Sequence, residues 1–289
     1  MNSRSLKPLL FIAPSFILAF LIISYPIIDL IRLSLNDVGT FGEMNGFIGL
    51  LNYQDVFEEE LFFEVLLRTF YWTVSVVVGT VVISVPIALA LNEDFYGKGI
   101  ARTVIMLPWA ISLAMTAVIW KWMLNPDYGM LNHFLMSIGL IDENIGWLAD
   151  ASTAFPMQIL IGILVSIPFT ISILLGGLTS IPTDIYEAAY LDGSSYFQRL
   201  RTLTLPLLKP FINIAVVLNV IYVFNSFPII WILTEGGPSN STDILPTYLY
   251  KMAFQFGEIG LAAAVSIIML SILLGFTFVY AYVSMKEKK

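Results

Sequence analysis

The chain has 289 residues, of which 58% are hydrophobic, 14% aromatic and only 12% charged, with a formal net charge of −7. A soluble domain needs roughly twice that charged fraction to cover its surface, so this composition specifies a polytopic membrane protein. The acidic balance, with no basic run before the last few residues, excludes a nucleic-acid partner, and zero cysteines with the single His133 exclude disulfides, iron–sulfur clusters and zinc sites.

The first apolar run covers about residues 8 to 31, behind Arg4 and Lys7. It exceeds the h-region of a secretory signal and no A-x-A cleavage pattern follows, so it is expected to stay as the first span. Residues 32 to 64 are polar and acidic, with Glu58, Glu59 and Glu60 in a row, and read as loop. A valine-rich second span at about 66 to 91 is followed by the short connection 92 to 102, and a third span by about 103 to 124. The segment 125 to 150 carries turn signals at Asn125-Pro126 and Gly146 and an amphipathic middle from 130 to 141 that suits a short surface helix. The fourth span is expected at about 154 to 178, the fifth at 211 to 233 and the sixth at 259 to 283. Pro14 and Pro26, Pro86, Pro108, Pro168 and Pro228 lie inside five of these six spans. Each frees a backbone carbonyl that neighbours or a wet cavity must satisfy, which suits helices around a transport path.

Six spans put both termini on one side. Ten of the fourteen basic residues, Arg4, Lys7, Lys98, Arg102, Arg199, Arg201, Lys209, Lys286, Lys288 and Lys289, then share a side with the termini, and the positive-inside rule makes that side cytoplasmic. Of the others, Arg68 and Lys121 read as side chains that snorkel to the interface.

The one polar interruption that breaks this pattern is 181 to 210, IPTDIYEAAYLDGSSYFQRLRTLTLPLLKP. It reads as two short helices and a turn. Pro182 and Thr183 are start signals, Asp184 and Glu187 favour the positive end of the first helix, and Asp192-Gly193 is a stop. Ser195 and Gln198 fit a capping box opening a second helix, which Pro206 and Pro210 are expected to terminate. Two spans can be joined without so ordered a hook, so it reads as a docking surface.

Inside the spans no acidic residue lies deep, which weakens any proton- or sodium-driven carrier. Uncharged polar residues do occur. Asn219, Tyr222 and Ser226 fall on one helical face of the fifth span with Asn225 at its edge, and Trp109, Ser112, Thr116 and Trp120 recur at spacings of three and four in the third. Amide and hydroxyl groups beside aromatic rings suit a neutral polyhydroxylated solute, but the same residues serve helix packing and interfacial belts, and both readings stand. Thr69, Thr73, Thr80 and Ser84 read as packing, and His133 and Glu58 to Glu60 as surface.

Glu187-Ala188-Ala189-Tyr190-Leu191-Asp192-Gly193, followed by Thr204-Leu205-Pro206, resembles the EAA motif of permease subunits in binding-protein-dependent ABC importers. The segments 49 to 57, 125 to 135 and 234 to 250 are similar to outside segments of the carbohydrate-uptake type I branch, which serves maltose, lactose, trehalose and glycerol-3-phosphate. The resemblance implies an all-α membrane protein with the type I importer permease fold, one domain over 1 to 289, in a bacterial or archaeal inner membrane. It further implies a second permease subunit, commonly giving a heterodimer, two copies of an ATPase subunit that bind ATP and magnesium, and an extracytoplasmic solute-binding protein that delivers a sugar. The first hook helix would be the coupling helix: Glu187 would make the polar contact, Ala188 and Ala189 would permit close helix approach, Gly193 would make the turn, and Asp192, Leu205 and Pro206 complete the motif. No GxxxxGK[ST] loop occurs, so nucleotide chemistry is expected on another polypeptide and none of covalent kind on this one. The rival readings are an importer of glycerol-3-phosphate or another polyol, a stand-alone secondary carrier, and an intramembrane enzyme, the last lacking any clustered nucleophile, acid or metal site.

Overall fold

The computed structural model describes residues 6 to 286, so Arg4, Lys288 and Lys289 lie outside the described residues. Among the described residues, five helices are long and apolar enough to cross a membrane, and a sixth span results when one sharply bent helix pair is taken together. The chain forms two compact units, residues 1 to 64 with 248 to 289, and residues 65 to 247.

In the first unit α1 (Leu6–Ser34) lies along α12 (Ile259–Lys286). The segment expected as loop is ordered. Strands β1 (Asn36–Val38) and β2 (Met44–Phe47) pair antiparallel, with Asn36 opposite Phe47, and α2 (Leu51–Glu58) follows. Asn52 Nδ2 donates to the Ser34 and Asn36 carbonyls, both at 3.0 Å, so one buried amide satisfies the backbone where α1 stops. Glu59 is exposed but not idle, because it accepts the Tyr248 hydroxyl. Burial, with the hydrogen bond and charge of Glu59, pushes the Tyr248 phenol far above its ordinary range, so the group remains a donor.

The second unit begins within α3 (Glu60–Asn92) and contains α7 (Ala151–Thr179) and α10 (Leu205–Phe224) as its other long helices. Trp72, Val76, Ile161, Val223 and Ile230 form one core cluster, and Ala88, Ile171, Leu174 and Leu208 a second. Small residues set the spacing: a Cβ on Gly162 would sit 2.8 Å from Trp72, and one on Gly177 would sit 2.5 Å from Phe211. Thr69, Thr73, Thr80 and Ser84 are buried, as packing residues should be.

Two spans depart from expectation. The third is not one helix over 103 to 124 but α4 (Lys98–Met106), a 3₁₀ turn Leu107–Ala110 and α5 (Leu113–Met123), bent by 94°. Pro108 cannot donate to the helix ladder, Ile111 is extended, and Ser112 starts a new helix by accepting the Met115 N–H at 3.2 Å. The fifth starts earlier than residue 211 and ends before 233. It runs from α9 (Tyr196–Arg199) through a π turn, Leu200–Thr204, into α10, then breaks before α11 (Pro228–Thr234). Pro206 and Pro210 therefore do not terminate the hook's second helix. The wide turn closes on a Leu205 N–H bond to the Leu200 carbonyl, and Pro206 then falls in the first turn of α10, where a missing N–H is tolerated.

Arg68 and Lys121 do more than snorkel. Arg68 Nη1 donates to the Asn240 and Asp243 carbonyls at 2.8 and 3.2 Å, and Lys121 Nζ to the Ile232 carbonyl at 2.8 Å. Both cover backbone oxygens that no helix satisfies. α6 (Met130–Ser137) fulfils the expected short helix, its buried Asn132 holding the Ile145 carbonyl at 3.0 Å and accepting Trp147 Nε1 at 2.8 Å.

Gly177→Val should destabilise the protein by ~1–3 kcal/mol through overpacking, whereas Gly176→Ala, with nothing within 4 Å of the new Cβ, should be neutral. A thermal-unfolding assay in detergent reads the difference, and equal midpoints for the two variants contradict the close α7–α10 approach.

Candidate functional site

The hook is assembled from local signals. α8 (Thr183–Leu191) starts after extended Pro182 and ends on a left-handed Gly193, φ +75°. Its end is a Schellman motif: Gly193 N–H reaches the Tyr190 carbonyl and Ser194 N–H the Ala189 carbonyl, both at 3.0 Å. Glycine adopts this conformation without the steric cost a side chain would bring. Two residues on, Ser195 and Gln198 form the reciprocal capping box that opens α9. The chain reverses within four residues.

Tertiary bonds then brace the hook against the foot of the fifth span. Tyr186 Oη donates to Thr204 Oγ1 at 3.2 Å, and Thr204 in turn donates to the Arg199 carbonyl at 3.4 Å, inside the π turn. Arg199 Nη1 holds the Ser194 carbonyl at 2.7 Å while its guanidinium lies 5.8 Å from the Tyr190 ring centre. Between α8, α9 and the ends of α3 and α7 opens a cleft of about 600 Å³, lined among others by Asn92, Glu93, Tyr186, Glu187, Tyr190 and Arg199.

The rest of the hook surface is unusual for a solvated turn. Tyr190, Leu191 and Phe197 are 73%, 86% and 79% exposed, beside exposed Glu187, Ala188, Asp192 and Gly193. Ala189 and Leu205 are half-buried and Pro206 is exposed. Large apolar side chains on a tip ringed by charge form a surface suited to protein contact.

The polar residues expected along a solute path are not brought together. Asn219 is buried and donates to Thr170 Oγ1 and to the Ala215 carbonyl, each at 2.8 Å, bridging α10 to α7. Ser226 is buried beyond the end of α10, whereas Tyr222 and Asn225 are exposed, so the face expected for Asn219, Tyr222 and Ser226, with Asn225 at its edge, is divided. The third-span stripe is cut by the 94° bend. Trp109 stacks on Phe169 at 6.0 Å, Ser112 caps α5, Thr116 donates to the Ser112 carbonyl at 3.2 Å, and Trp120 packs against the first core cluster. Sequence reasoning passed over buried Gln158, whose only signal was to be a lone amide in an apolar run. Its Nε2 donates to Thr234 Oγ1 at 2.8 Å.

Residues 80–289 match the family described as "Binding-protein-dependent transport system inner membrane component", a stretch that includes the whole hook. The chain belongs to this family. A probable ABC transporter permease protein of Brucella suis is 55% identical over all 289 residues, covering 100% of both chains. The trehalose/maltose transport system permease protein MalF of Thermococcus litoralis is 34% identical, covering 94% of this chain and 91% of its own. A chain in the crystal structure of a bacterial alginate ABC transporter, in complex with an alginate pentasaccharide-bound periplasmic protein, superposes with a TM-score of 0.85. That match covers 99% of this chain and 96% of the other at 23% identity, and shows that this ABC permease has the same fold.

Removing the brace should loosen the hook alone. Tyr186→Phe is expected to raise amide hydrogen exchange in α8 roughly threefold to tenfold, the scale of one lost hydrogen bond, with the long spans unaffected. Unchanged exchange in α8 contradicts the bracing role.

Proposed function

We propose that this permease is one of two membrane subunits of an ATP-driven importer that carries a carbohydrate across the inner membrane, with both termini and the hook in the cytoplasm. The observation that carries the reading is the hook: a rigid, doubly capped reversal with Tyr190, Leu191 and Phe197 exposed at its tip. Two copies of a separate ATPase subunit bind ATP and magnesium, and α8 is the helix they grip. Glu187 supplies the polar contact at the edge of the cleft, Ala188 and Ala189 permit close approach, and Asp192, Gly193, Leu205 and Pro206 hold the shape. A binding protein delivers solute from the opposite side. A permease whose 34% identical relative is named for trehalose and maltose supports a neutral sugar as cargo.

Alternating access by rigid helix motion requires that the gripped element move as a unit. The Schellman turn, the capping box and the Tyr186–Thr204 bond supply that rigidity. Among the solute-path candidates, Tyr222, Asn225 and Trp109 have the exposed side chains that hydrogen-bonding and stacking on a sugar need, and we assign contact to them. Asn219, Ser112, Thr116 and Ser226 serve the scaffold.

Two variants test the reading by independent routes. Gly193→Val forces a β-branched residue to positive φ, a conformational cost of ~1–2 kcal/mol, and should abolish uptake of radiolabelled disaccharide while membrane insertion persists. Leu191→Asp, at a largely exposed position, should leave the subunit folded and lower co-purification of the ATPase at least tenfold. Normal uptake in the first or undiminished co-purification in the second would refute the coupling role.

A further inference from the structure

We infer that Gln158 is a positioning residue that joins the loop 235 to 243 to α7 and so links the side facing the binding protein to the hook; this rests on the importer reading above. α7 is a continuous helix of 29 residues, on the order of 43 Å at 1.5 Å per residue. Its inner end is followed within three residues, Ser180 to Pro182, by α8. Near its other end, Gln158 is 0% exposed and donates Nε2 to Thr234 Oγ1 at 2.8 Å. Thr234 Oγ1 is 2.7 Å from Thr242 Oγ1, and Thr242 donates to the Gly237 carbonyl at 2.7 Å. Through Thr234, the last residue of α11, one amide on α7 is thus relayed to Thr242 and Gly237 of the loop.

The loop is built to transmit rather than absorb a push. Its backbone closes on itself, with Gly237 N–H on the Thr234 carbonyl at 2.9 Å and Thr242 N–H on the Gly236 carbonyl at 3.0 Å. Glu235, Ser239 and Asn240 are held at φ of 54°, 48° and 59°, a left-handed conformation that surrounding bonds must maintain. Arg68 and Thr69 of α3 hold its far side through the Asn240 carbonyl and the Leu245 N–H, leaving Ser239 and Asn240 exposed at the tip.

Stability alone gives no reason for a glutamine at this position. Gln158 Oε1 is buried with no hydrogen-bond partner among the described residues, and a leucine of similar volume would fill the site without an orphaned acceptor. What leucine lacks is the directional bond to Thr234.

The test uses the assembled complex in lipid with its ATPase subunits, measuring ATP hydrolysis with and without the sugar-loaded binding protein. In Gln158→Leu and in Thr234→Val the stimulation by binding protein should fall roughly tenfold, the scale of one buried hydrogen bond, while the unstimulated rate and melting temperature hold. Thr234→Ser keeps the hydroxyl and should keep stimulation, and the Gln158→Leu/Thr234→Val double variant should be no worse than either single one. Full stimulation in Gln158→Leu, equal loss in Thr234→Ser, or a parallel fall of both rates with melting temperature overturns the inference. A wild-type complex that binding protein does not stimulate overturns the importer reading itself, and this inference with it.

Discussion

A bilayer core supplies no hydrogen bonds, so each point where this chain leaves regular helix must be satisfied from within. That constraint explains where its few polar side chains sit. Trp72 Nε1 covers the Val223 carbonyl at 3.0 Å where α10 ends, and Arg102 Nη2 covers Leu91 at 3.0 Å where α3 ends. Ser112 starts α5, Asn52 closes the end of α1, Lys121 holds the Ile232 carbonyl in the last turn of α11, and Arg68 holds the Asn240 carbonyl beyond it. Cations placed this way meet the negative ends of helices and the free carbonyls together.

The same economy shapes the hook. Its reversal is held by the Schellman bonds, the capping box and Arg199, which between them bond N–H and carbonyl groups that the turn would otherwise leave open. Polar needs being met internally, the tip is free to present Tyr190, Leu191 and Phe197 outward. A short helix so held can be gripped without unfolding, and the permease family to which the chain belongs is one that works with partner proteins.

Local features of this architecture were legible in the sequence. Long apolar helices occur at the first, second, fourth and sixth hydrophobic runs, and the Gly193 stop and the Ser195–Gln198 box emerged where residue types predicted them. Errors arose where tertiary context overrode local chemistry. Pro108 reads as a kink in one helix, but with Ser112 able to cap it breaks the span through 94°. Pro206 reads as a terminator, but a π turn before it lets the helix continue. The bonds from Arg68 to Asn240, from Lys121 to Ile232 and from Gln158 to Thr234 join residues 172, 111 and 76 positions apart, and no local pattern encodes them. Asn219 was legible as a polar residue in a span, but its bond to Thr170 on α7 was not.

The central claim is that a separate ATPase grips α8, and hydrogen–deuterium exchange on the permease with and without that ATPase tests it most directly. The account predicts strong protection confined to residues 183 to 197 on assembly, deepening when ATP is added. Exchange in that segment that is the same in the free and assembled permease would contradict it.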